Sequence, residues 1–498
     1  MVFGVNPFKG TPFFTLSKGR GRLGRLRPNS VRGLPGSQPR VMQRPPLGDG
    51  WGEGLPGNYL WAMQRSRMSD APIRFVHLAD VHLGFRQYGL AERAADFVRA
   101  FDDAVDYCLR VAPDFVVIAG DLFDSKSIEP STYAAADIAL ERLARAGIPV
   151  VANEGNHERW FRRGERSWLW QLSRHGRLRL LRQFDPLTGR LQAQPWTSDR
   201  GFGAYTDIGA ARVFGVEYLG ARLAAHLPEI AASLSAVPSG SQRAVVGLLH
   251  TGVDEAVHLG VGGVTLEDLA PVRAFTDYLA LGHVHYAYRL PEHSPWIFNP
   301  GALEAHNILE GLASEPSEGE GRARGLYDVT IRPGHPAEID GRFRDDVVAR
   351  RPFRRLSVDA GEAADFNELA ADVEAAVSGP LELFSEPPVV ELRLTGRLRF
   401  ERIHLDTERL AQIVGAAFQP LHVRVTLQLA GDRRRTAAAR FGTNVRAIER
   451  DVLAQLIKES PHAGEAEALT AAALDLKAAA LEGQPPEALA QHLERRLG

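Results

Sequence analysis

The sequence has very little cysteine and no long apolar run. Cys108 is the single cysteine among 498 residues, so the chain cannot form an internal disulfide. It lies in residues 97–109, where apolar residues recur at helical spacing, which predicts a buried side chain and not a nucleophile. No segment reaches the roughly 18 consecutive apolar residues that a membrane-spanning helix needs. These features predict a cytoplasmic protein without a membrane partner.

The chain has no marked excess of charge of either sign, but the charge is unevenly distributed. The formal net charge is −2. Residues 1–67 carry a local charge of +9, so the remainder carries −11. Because the rest of the chain is acidic as a whole, binding of nucleic acid there would depend on local basic patches and metal ions.

Residues 1–70 are rich in Gly, Pro and Arg and show no helical or strand period. One interpretation is a disordered basic extension that contacts DNA. The other is a mis-assigned start, with translation beginning at Met68, directly before the first predicted strand. The segment lacks the continuous apolar stretch of a secretory signal.

The stretch from Ile118 to Asp124 is the central motif, because the other candidate motifs are interpreted by comparison with it. The apolar run 115–118 predicts a buried parallel strand, and it is followed by Ala-Gly and then Asp121. Ligands collect at this carboxyl edge in open α/β sheets. A lone Asp after a strand often only caps a helix, so its significance depends on the other strand ends.

Two neighbouring strands end in similar residues. The strand predicted over 73–79 runs into Asp80 and His82, which alternate spacing places on one side of an extended segment. The segment 147–152 predicts a strand that leads to Asn156 and His157. A lone Gly-Asn-His would be read as a turn, but after two such strand ends it indicates a site.

Predicted helices over residues 91–111 and 131–146 separate these strands, as in the βαβ units of a layered α/β domain. Further along the chain, the strand 244–249 ends at His250. His77, inside the first strand, is predicted to be a hydrogen-bonded core histidine.

The strand predicted over 278–281 leads to His283 and His285, which can both face one metal from an extended segment. Pro300 and Gly301 then predict a tight turn near the site.

Together these strand ends supply carboxylate, amide and imidazole groups but no thiolate, a set that favours a pair of Mn²⁺, Fe or Zn ions over a structural zinc. One carboxylate must bridge such a pair, and Asp121 is central in the series. Each histidine alone is more often structural, but the ordered series argues against coincidence. The candidate metal ligands are Asp80, His82, Asp121, Asn156, His250, His283 and His285.

A basic and aromatic stretch follows the third strand end. Its arginines alternate with tryptophan and phenylalanine, so they could hold a phosphate backbone while the rings stack on bases. A solvated helix face with an aromatic underside is the alternative. The candidate DNA-binding residues are Arg159, Arg162, Arg163 and Arg166.

The composition changes after about residue 325. Residues 346–430 predict a small α+β domain without a catalytic signature, and residues 431–498 predict a helical tail. In the tail, Val452 and Leu456 continue an apolar series at helical spacing. The tail either binds a partner or packs as a terminal subdomain.

The order of these motifs resembles the calcineurin-like metallophosphoesterases, whose pattern is D-x-H, G-D, G-N-H, H and G-H-x-H. Within that superfamily the chain is most similar to the SbcD-type DNA double-strand-break repair nucleases. The likeness is strong over about residues 72–305 and loose over 325–430. It is carried by the segments 77–84, 119–124, 250–253, 281–285 and 300–304.

The resemblance implies an α/β fold: a layered metallophosphoesterase sandwich of two sheets flanked by helices over residues 71–345, with 346–430 as a small α+β capping domain and 431–498 as a helical C-terminal tail. It assigns Asp80, His82, Asp121 and His285 to one metal, and Asp121, Asn156, His250 and His283 to the other.

His157 resembles the histidine that protonates or steadies the leaving oxygen. Asp124 stands where many archaeal and eukaryotic members have histidine, so the enzyme either does without that group or uses Asp124 as an anchor for a ligand. Glu158 replaces the usual aspartate at the end of its motif.

The implied activity is metal-dependent hydrolysis of DNA phosphodiesters by a hydroxide that two divalent metal ions activate, and the expected metal is Mn²⁺. It would act as a 3′→5′ exonuclease and single-strand endonuclease on double-strand ends, hairpins and single strands. The implied partners are DNA, a second copy of the chain and an SbcC-like coiled-coil ATPase docked on the C-terminal helices.

Two other functions remain open from the sequence. One is a phosphodiesterase or phosphatase of the same fold that acts on a small molecule. The appended residues 346–498 argue against it, since small-molecule enzymes usually lack such additions. The other is an inactive scaffold for the ATPase, against which the complete set of metal motifs argues.

Overall fold

The computed structural model of the protein describes residues 71–158, 166–257, 263–312, 323–334, 337–378, 384–430, 445–458 and 463–481. The strands are β1 Ile73–Leu78, β2 Phe115–Ala119, β3 Val150–Asn153, β4 Arg179–Leu180, β5 Tyr205–Ile208, β6 Ala211–Gly215, β7 Ala244–His250, β8 Tyr278–Gly282, β9 Ala287–Leu290, β10 Ile297–Pro300, β11 Leu326–Arg332, β12 Glu338–Arg344, β13 Phe353–Asp359, β14 Val389–Thr395 and β15 His422–Leu427.

The α-helices of the described residues lie between and after these strands. They are α1 Ala91–Val111, α2 Pro130–Arg145, α3 Trp168–Arg174, α4 Leu223–Ser235, α5 Asp254–Val257, α6 Ala270–Arg273, α7 Ile308–Leu312, α8 Phe366–Val377, α9 Thr407–Phe418, α10 Val445–Lys458 and α11 Ala466–Leu481. Within the described ranges, no helix combines the length and apolar character that crossing a bilayer requires.

The strands form two six-stranded sheets and one three-stranded sheet. The first has the order β12-β11-β1-β2-β3-β4, and the second β5-β6-β7-β8-β10-β9. Strands β1 to β4 are parallel, with Phe75 opposite Phe115 and Val116 opposite Val150. Strands β6, β7 and β8 are also parallel. Their carboxyl ends therefore gather at one edge of each sheet.

The two large sheets pack face to face with helices outside them. Phe75 and Val117 of the first sheet share a buried core with Val246 and Phe298 of the second. The opposite face of the first sheet packs against α1 and α2, and that of the second against α4. The predicted α/β sandwich of two sheets flanked by helices is confirmed.

Local backbone conformation explains where the predicted strands were slightly wrong. Strand β1 ends at Leu78 because Asp80 already adopts a left-handed conformation with φ of 50°. Strand β3 begins at Val150 and not at 147, because Gly147 is also left-handed, at φ 73°, and Pro149 has no N–H for the ladder.

The histidine and the cysteine predicted to lie in the core do so. His77 is fully buried, with Nδ1 at 3.0 Å from the Tyr278 hydroxyl and Nε2 at 3.0 Å from the Leu281 carbonyl oxygen. Burial lowers the pKa of His77 to about 3, so the ring is neutral. Burial also raises the pKa of Cys108 to about 12, which makes it a poor nucleophile.

The third sheet has a core of its own. Helices α8 and α9 cover one face of β13, β14 and β15 through residues such as Leu369, Leu392 and Val414. On the other side, Phe353 and Val389 pack against Ile308 of α7. The third sheet with α8 and α9 lies within the predicted capping domain, whose limits at 346 and 430 stay predictions. The described tail consists of α10 and α11, and residues 1–70 lie outside the described residues.

A buried ionic cluster joins α1 to the third sheet. The guanidinium of Arg93 donates to Asp96 Oδ2 at 2.6 Å and to Glu304 Oε1 at 3.0 Å. Arg351, just before β13, binds both carboxylate oxygens of Asp96, at 2.7 and 2.9 Å. Arg93, Asp96 and Glu304 are almost completely buried. Each charge is therefore tolerable in the core only because its partners are present.

We expect Asp96→Asn to destabilise the fold by about 3–5 kcal/mol, because it leaves buried arginine charge uncompensated. The matched control is Asp102→Asn on the same helix, since Asp102 pairs with Arg142 at 3.4 Å near the surface, where such pairs contribute about 0–1 kcal/mol. Urea unfolding followed by tryptophan fluorescence measures both. Equal urea midpoints for the two variants would show that the buried cluster contributes no more to the free energy of unfolding than the surface pair.

Candidate metal centre

The predicted site residues lie at the carboxyl ends of strands from both large sheets. The loops after β1, β2 and β3 come from the first sheet, and the end of β7 and the loop after β8 come from the second. Packing of the two sheets brings these five ends together. They carry Asp80 and His82, Asp121 and Asp124, Asn156 and His157, His250, and His283 and His285, in that order.

One group of possible ligand atoms surrounds His82 and His285. Their Nε2 atoms are 3.2 Å apart. A carboxylate oxygen of Asp80 lies with them in a cluster whose atoms are all within 4.8 Å of one another. Asp121 Oδ2 is 4.0 Å from His82 Nε2. Two ring nitrogens facing each other beside buried carboxylates form a suitable site for a cation.

A second group surrounds His250. Its Nε2 lies 3.0 Å from Asp121 Oδ2 and 3.0 Å from Asn156 Oδ1. The Nδ1 atom of His283 lies 2.9 Å from the same Asn156 oxygen. These, Asp121 included, are the four residues that the resemblance assigned to the second ion, and the structure brings them together. Their role as ligands stays a prediction.

Asp121 belongs to both groups. Its Oδ2 lies nearest to His250 and is 4.0 Å from the Nε2 atoms of both His82 and His157. Its Oδ1 accepts a hydrogen bond from the backbone N–H of His157 at 3.0 Å. The carboxylate therefore occupies the central position that the predicted bridging role requires.

The electrostatics of this pair keep Asp121 ionised. Burial alone would raise the pKa of Asp121, but the charge and hydrogen bond of His250 outweigh burial and hold the pKa well below its usual range. Burial alone would lower the pKa of His250, and Asp121 instead raises it to about 9. For His283, burial and the nearby charge of His250 lower the pKa to about 4, so this ring is neutral, the form in which imidazole binds a metal.

The site backbone includes unusual left-handed conformations. Asp80 and Asp121 have φ of 50°, His82 has 51° and His283 has 89°. Non-glycine residues adopt such angles rarely and at a cost, and they concentrate at functional sites. The loops after β1 and β2 are held together by backbone hydrogen bonds, including His82 N–H to the Asp121 oxygen at 3.0 Å.

Two glycines permit the close approach of these loops. A Cβ on Gly155 would lie 2.1 Å from Asp121 Oδ1, and one on Gly120 would lie 2.2 Å from His250 Nδ1. Gly120 also has φ of +83°, which a side chain would strain. The Gly-Asp and Gly-Asn-His motifs therefore need glycine because the carboxylate and imidazole approach the backbone.

Glu158 connects the loops after β2 and β3. Its buried carboxylate accepts hydrogen bonds from the backbone N–H groups of Asp121 at 3.2 Å, Phe123 at 2.9 Å and Gly155 at 3.0 Å. Burial and the Asp121 charge raise the pKa of Glu158, against the effect of these N–H donors. The glutamate side chain, which is longer than the aspartate usual at this position, thus reaches three N–H donors. It fixes the loop that carries Asp121 against the loop that carries Asn156.

Asp124 lies beside the site and contacts its histidines. The Nδ1–H of His157 donates to the backbone oxygen of Asp124 at 2.5 Å, and Asp124 Oδ1 lies 3.4 Å from His82 Nδ1. Burial would raise the pKa of Asp124, but hydrogen bonds from His306 and His82 lower it below its usual range. These contacts fit the predicted anchoring role, which stays a prediction.

The sequence interpretation missed His306 and Glu310. His306 Nε2 lies 3.2 Å from Asp124 Oδ1, and Glu310 Oε1 lies 3.2 Å from His285 Nδ1. Both residues follow the turn at Pro300 and Gly301, which had been predicted to lie near the site. A histidine and a glutamate four residues apart directly after that turn were the available signal.

The predicted basic stretch is only partly described, since Arg159, Arg162 and Arg163 lie outside the described residues. Arg166 is exposed, and its guanidinium lies 4.0 Å from the centre of the Trp170 ring. This cation–π contact suits either a nucleic-acid surface or a solvated helix face. The choice between the two stays open.

We expect Gly155→Ala to weaken Mn²⁺ binding by on the order of 10- to 100-fold, because the new methyl group must displace Asp121. Gly415→Ala is the control, since nothing lies within 4 Å of a Cβ at that helical position. Isothermal titration calorimetry gives both affinities. An unchanged affinity in Gly155→Ala would show that Asp121 need not lie where the structure places it.

Comparison with known proteins agrees with this geometry. The sequence profile of the calcineurin-like phosphoesterase family matches residues 73–287. The chain is 32% identical to the DNA double-strand break repair protein Mre11 of Archaeoglobus fulgidus, over 48% of this chain and 52% of that protein. For the proteins of the same name from Aeropyrum pernix and Saccharolobus solfataricus, the identity is 28%, over 58% and 44% of this chain and 64% and 51% of theirs.

The chain thus spans between about half and two thirds of the length of these curated relatives. The described strands β1 to β9 lie within or reach into the family match. Residues 73–287 of this chain are therefore similar to a calcineurin-like phosphoesterase domain.

Proposed function

We propose that this protein is a metal-dependent DNA nuclease of double-strand-break repair, which hydrolyses phosphodiester bonds. The observation that carries the proposal is the convergence of carboxylate, amide and imidazole groups around Asp121 in a phosphoesterase domain. The similarity to relatives named as double-strand break repair proteins supports DNA as the substrate.

The donor set fits two divalent ions. Asp80, His82 and His285 would hold one ion, and Asn156 and His250 with His283 would hold the other, while Asp121 serves both. Oxygen and imidazole donors without thiolate suit Mn²⁺, which we propose as the metal. Bound ions would supply the positive charge that polarises a phosphoryl group and activates water for attack.

His157 is proposed to act on the leaving oxygen. Because its Nδ1–H is engaged by the Asp124 carbonyl at 2.5 Å, its Nε2 is the atom free to face a substrate. That Nε2 lies 4.0 Å from Asp121 Oδ2, and 33% of the side chain is exposed, so a phosphodiester can reach it. A proton held at Nε2 would steady or protonate the departing oxygen.

The finer activity is part of the proposal and is supported by the resemblance of the motifs. We propose 3′→5′ exonuclease and single-strand endonuclease activity on double-strand ends, hairpins and single strands. Arg166, exposed beside Trp170, is the described residue of the basic stretch that is available to contact the DNA backbone.

The proposed partners are a second copy of the chain and an SbcC-like coiled-coil ATPase. Helix α10 supports the second partner, because Val452 and Leu456 lie one turn apart with 43% and 59% of their surfaces exposed. Apolar residues at this spacing suit docking of an amphipathic helix.

The test of the function is cleavage of end-labelled duplex and hairpin DNA by the purified chain with Mn²⁺, with Mg²⁺ or with EDTA. We expect Mn²⁺-dependent loss of DNA ends, which EDTA stops because it removes the ions. Asp121→Asn should abolish cleavage, since the central ligand loses its charge. Asp106→Asn is the control, because Asp106 is exposed on α1.

Bis-p-nitrophenyl phosphate and cyclic nucleotides are assayed beside DNA. Hydrolysis of only these small esters would overturn the nuclease proposal in favour of a small-molecule phosphodiesterase. Circular dichroism of Asp121→Asn ensures that a loss of activity is not a loss of fold.

We expect His157→Ala to lower kcat on DNA by about 10²- to 10⁴-fold, the range for loss of a general acid. Mn²⁺ affinity should stay within a few-fold, because His157 is not a proposed ligand. His175→Ala is the control, since that exposed ring contacts Tyr133 and Gln171. A parallel loss of Mn²⁺ affinity would instead make His157 part of the metal site.

A further inference from the structure

We propose that His306 is a positioning residue that acts through Asp124 to hold the ring of His82 in the orientation needed for metal binding. The inference rests on the proposed function, because it concerns the same centre. His306 belongs neither to the predicted ligands nor to the predicted catalytic residues, and it lies beyond the segment that matches the phosphoesterase family.

The carboxylate of Asp124 lies between two histidine rings. Its Oδ1 atom is 3.2 Å from His306 Nε2 and 3.4 Å from His82 Nδ1. His82 is completely buried, and among the described residues its Nδ1 makes no regular hydrogen bond, so the carboxylate of Asp124 at 3.4 Å is the acceptor placed to receive its N–H. Asp124 is thus the group that can orient this ring, and His306 is a donor that can orient Asp124.

The orientation of His82 matters because its other nitrogen faces the centre. Its Nε2 lies 3.2 Å from His285 Nε2. A ligand histidine keeps the correct tautomer when its remote N–H is bound by a carboxylate, and loss of such a partner weakens metal binding. The chain His306–Asp124–His82 supplies this arrangement.

His306 is itself firmly held. Its ring stacks on Phe85 with centroids 3.6 Å apart and planes 13° from parallel. Its backbone N–H donates to Glu310 Oε2 at 2.8 Å, and the other oxygen of Glu310 reaches His285 Nδ1. The short segment 306–310 therefore braces both His82 and His285 from outside the centre.

A third ion is the competing explanation of this cluster, because nitrogens of His82 and His306 and an oxygen of Asp124 lie within 4.8 Å of one another. An ion there would require His82 to bind metal through both ring nitrogens, which means losing both ring protons. Hydrogen bonds to Asp124 need no such deprotonation, so we favour positioning. The stoichiometry of metal binding separates the two explanations.

The test uses three full-length variants. His306→Phe keeps a ring to stack on Phe85 but removes the donor, whereas His306→Gln places an amide N–H near the position of Nε2. His226→Phe is the control, because that histidine also lies against a phenylalanine ring and a carboxylate, edge-to-face with Phe184 and 3.7 Å from Glu229, on another element. Mn²⁺ affinity and stoichiometry are measured by calorimetry, and thermal unfolding and the kcat and KM for bis-p-nitrophenyl phosphate are measured beside them.

We expect His306→Phe to weaken Mn²⁺ affinity by on the order of 10- to 100-fold with little change in unfolding temperature. At limiting Mn²⁺ its kcat should fall while KM stays constant. His306→Gln should recover most of the affinity, and His226→Phe should match the unaltered protein. If His306→Phe does not fold, His306→Asn replaces it, because its shorter amide corresponds to Nδ1 and not to Nε2.

Three outcomes would overturn the inference. The first is an unchanged Mn²⁺ affinity in His306→Phe. The second is an equal loss of Mn²⁺ affinity in His306→Phe and His306→Gln. The third is a third bound ion in the unaltered protein that is absent from His306→Phe. The proposed function fails separately. If the unaltered protein binds Mn²⁺ but does not cleave DNA, the nuclease proposal falls while the Mn²⁺ affinities still decide the role of His306.

Discussion

The structure depends on a buried negative charge, that of Asp121, placed where two sheets meet. An isolated carboxylate there would be costly, and His250 from the opposite sheet offsets its charge at 3.0 Å. Because the loop after β2 carries the aspartate and the end of β7 carries the histidine, this pair forms only when the two sheets pack with these ends together. The left-handed φ of Asp121 and the absence of a Cβ at Gly120 follow from that approach.

Around this pair, carboxylates outside the candidate ligand set hold the residues that carry it. Glu158 binds the backbone of the loops after β2 and β3, Asp124 faces His82, and Glu310 faces His285. These contacts fix the positions of the candidate ligands, which lowers the cost of ordering them around an ion.

Residues next to buried parallel strands were predictable, because apolar runs and the polar residues that follow them are local signals. Helix α1 was predicted at its observed limits because its apolar period is long. In the structure the helix ends at Val111, since Ala112 adopts a left-handed conformation. His306 was not predictable in the same way, because its contact with Asp124 joins residues 182 positions apart. The buried Arg93 was equally hidden, since a charged helix residue ordinarily faces water.

The ionic cluster of Arg93, Asp96 and Arg351 has a consequence for how this architecture changes over time. The third sheet is attached through Arg351, whose partner Asp96 lies on α1 beside Arg93. Arg93 in turn binds Glu304, only two residues before His306. A substitution on either side of this contact would leave a buried charge on the other side without its partner. The third sheet and the segment beside the candidate metal centre therefore restrict each other's sequence.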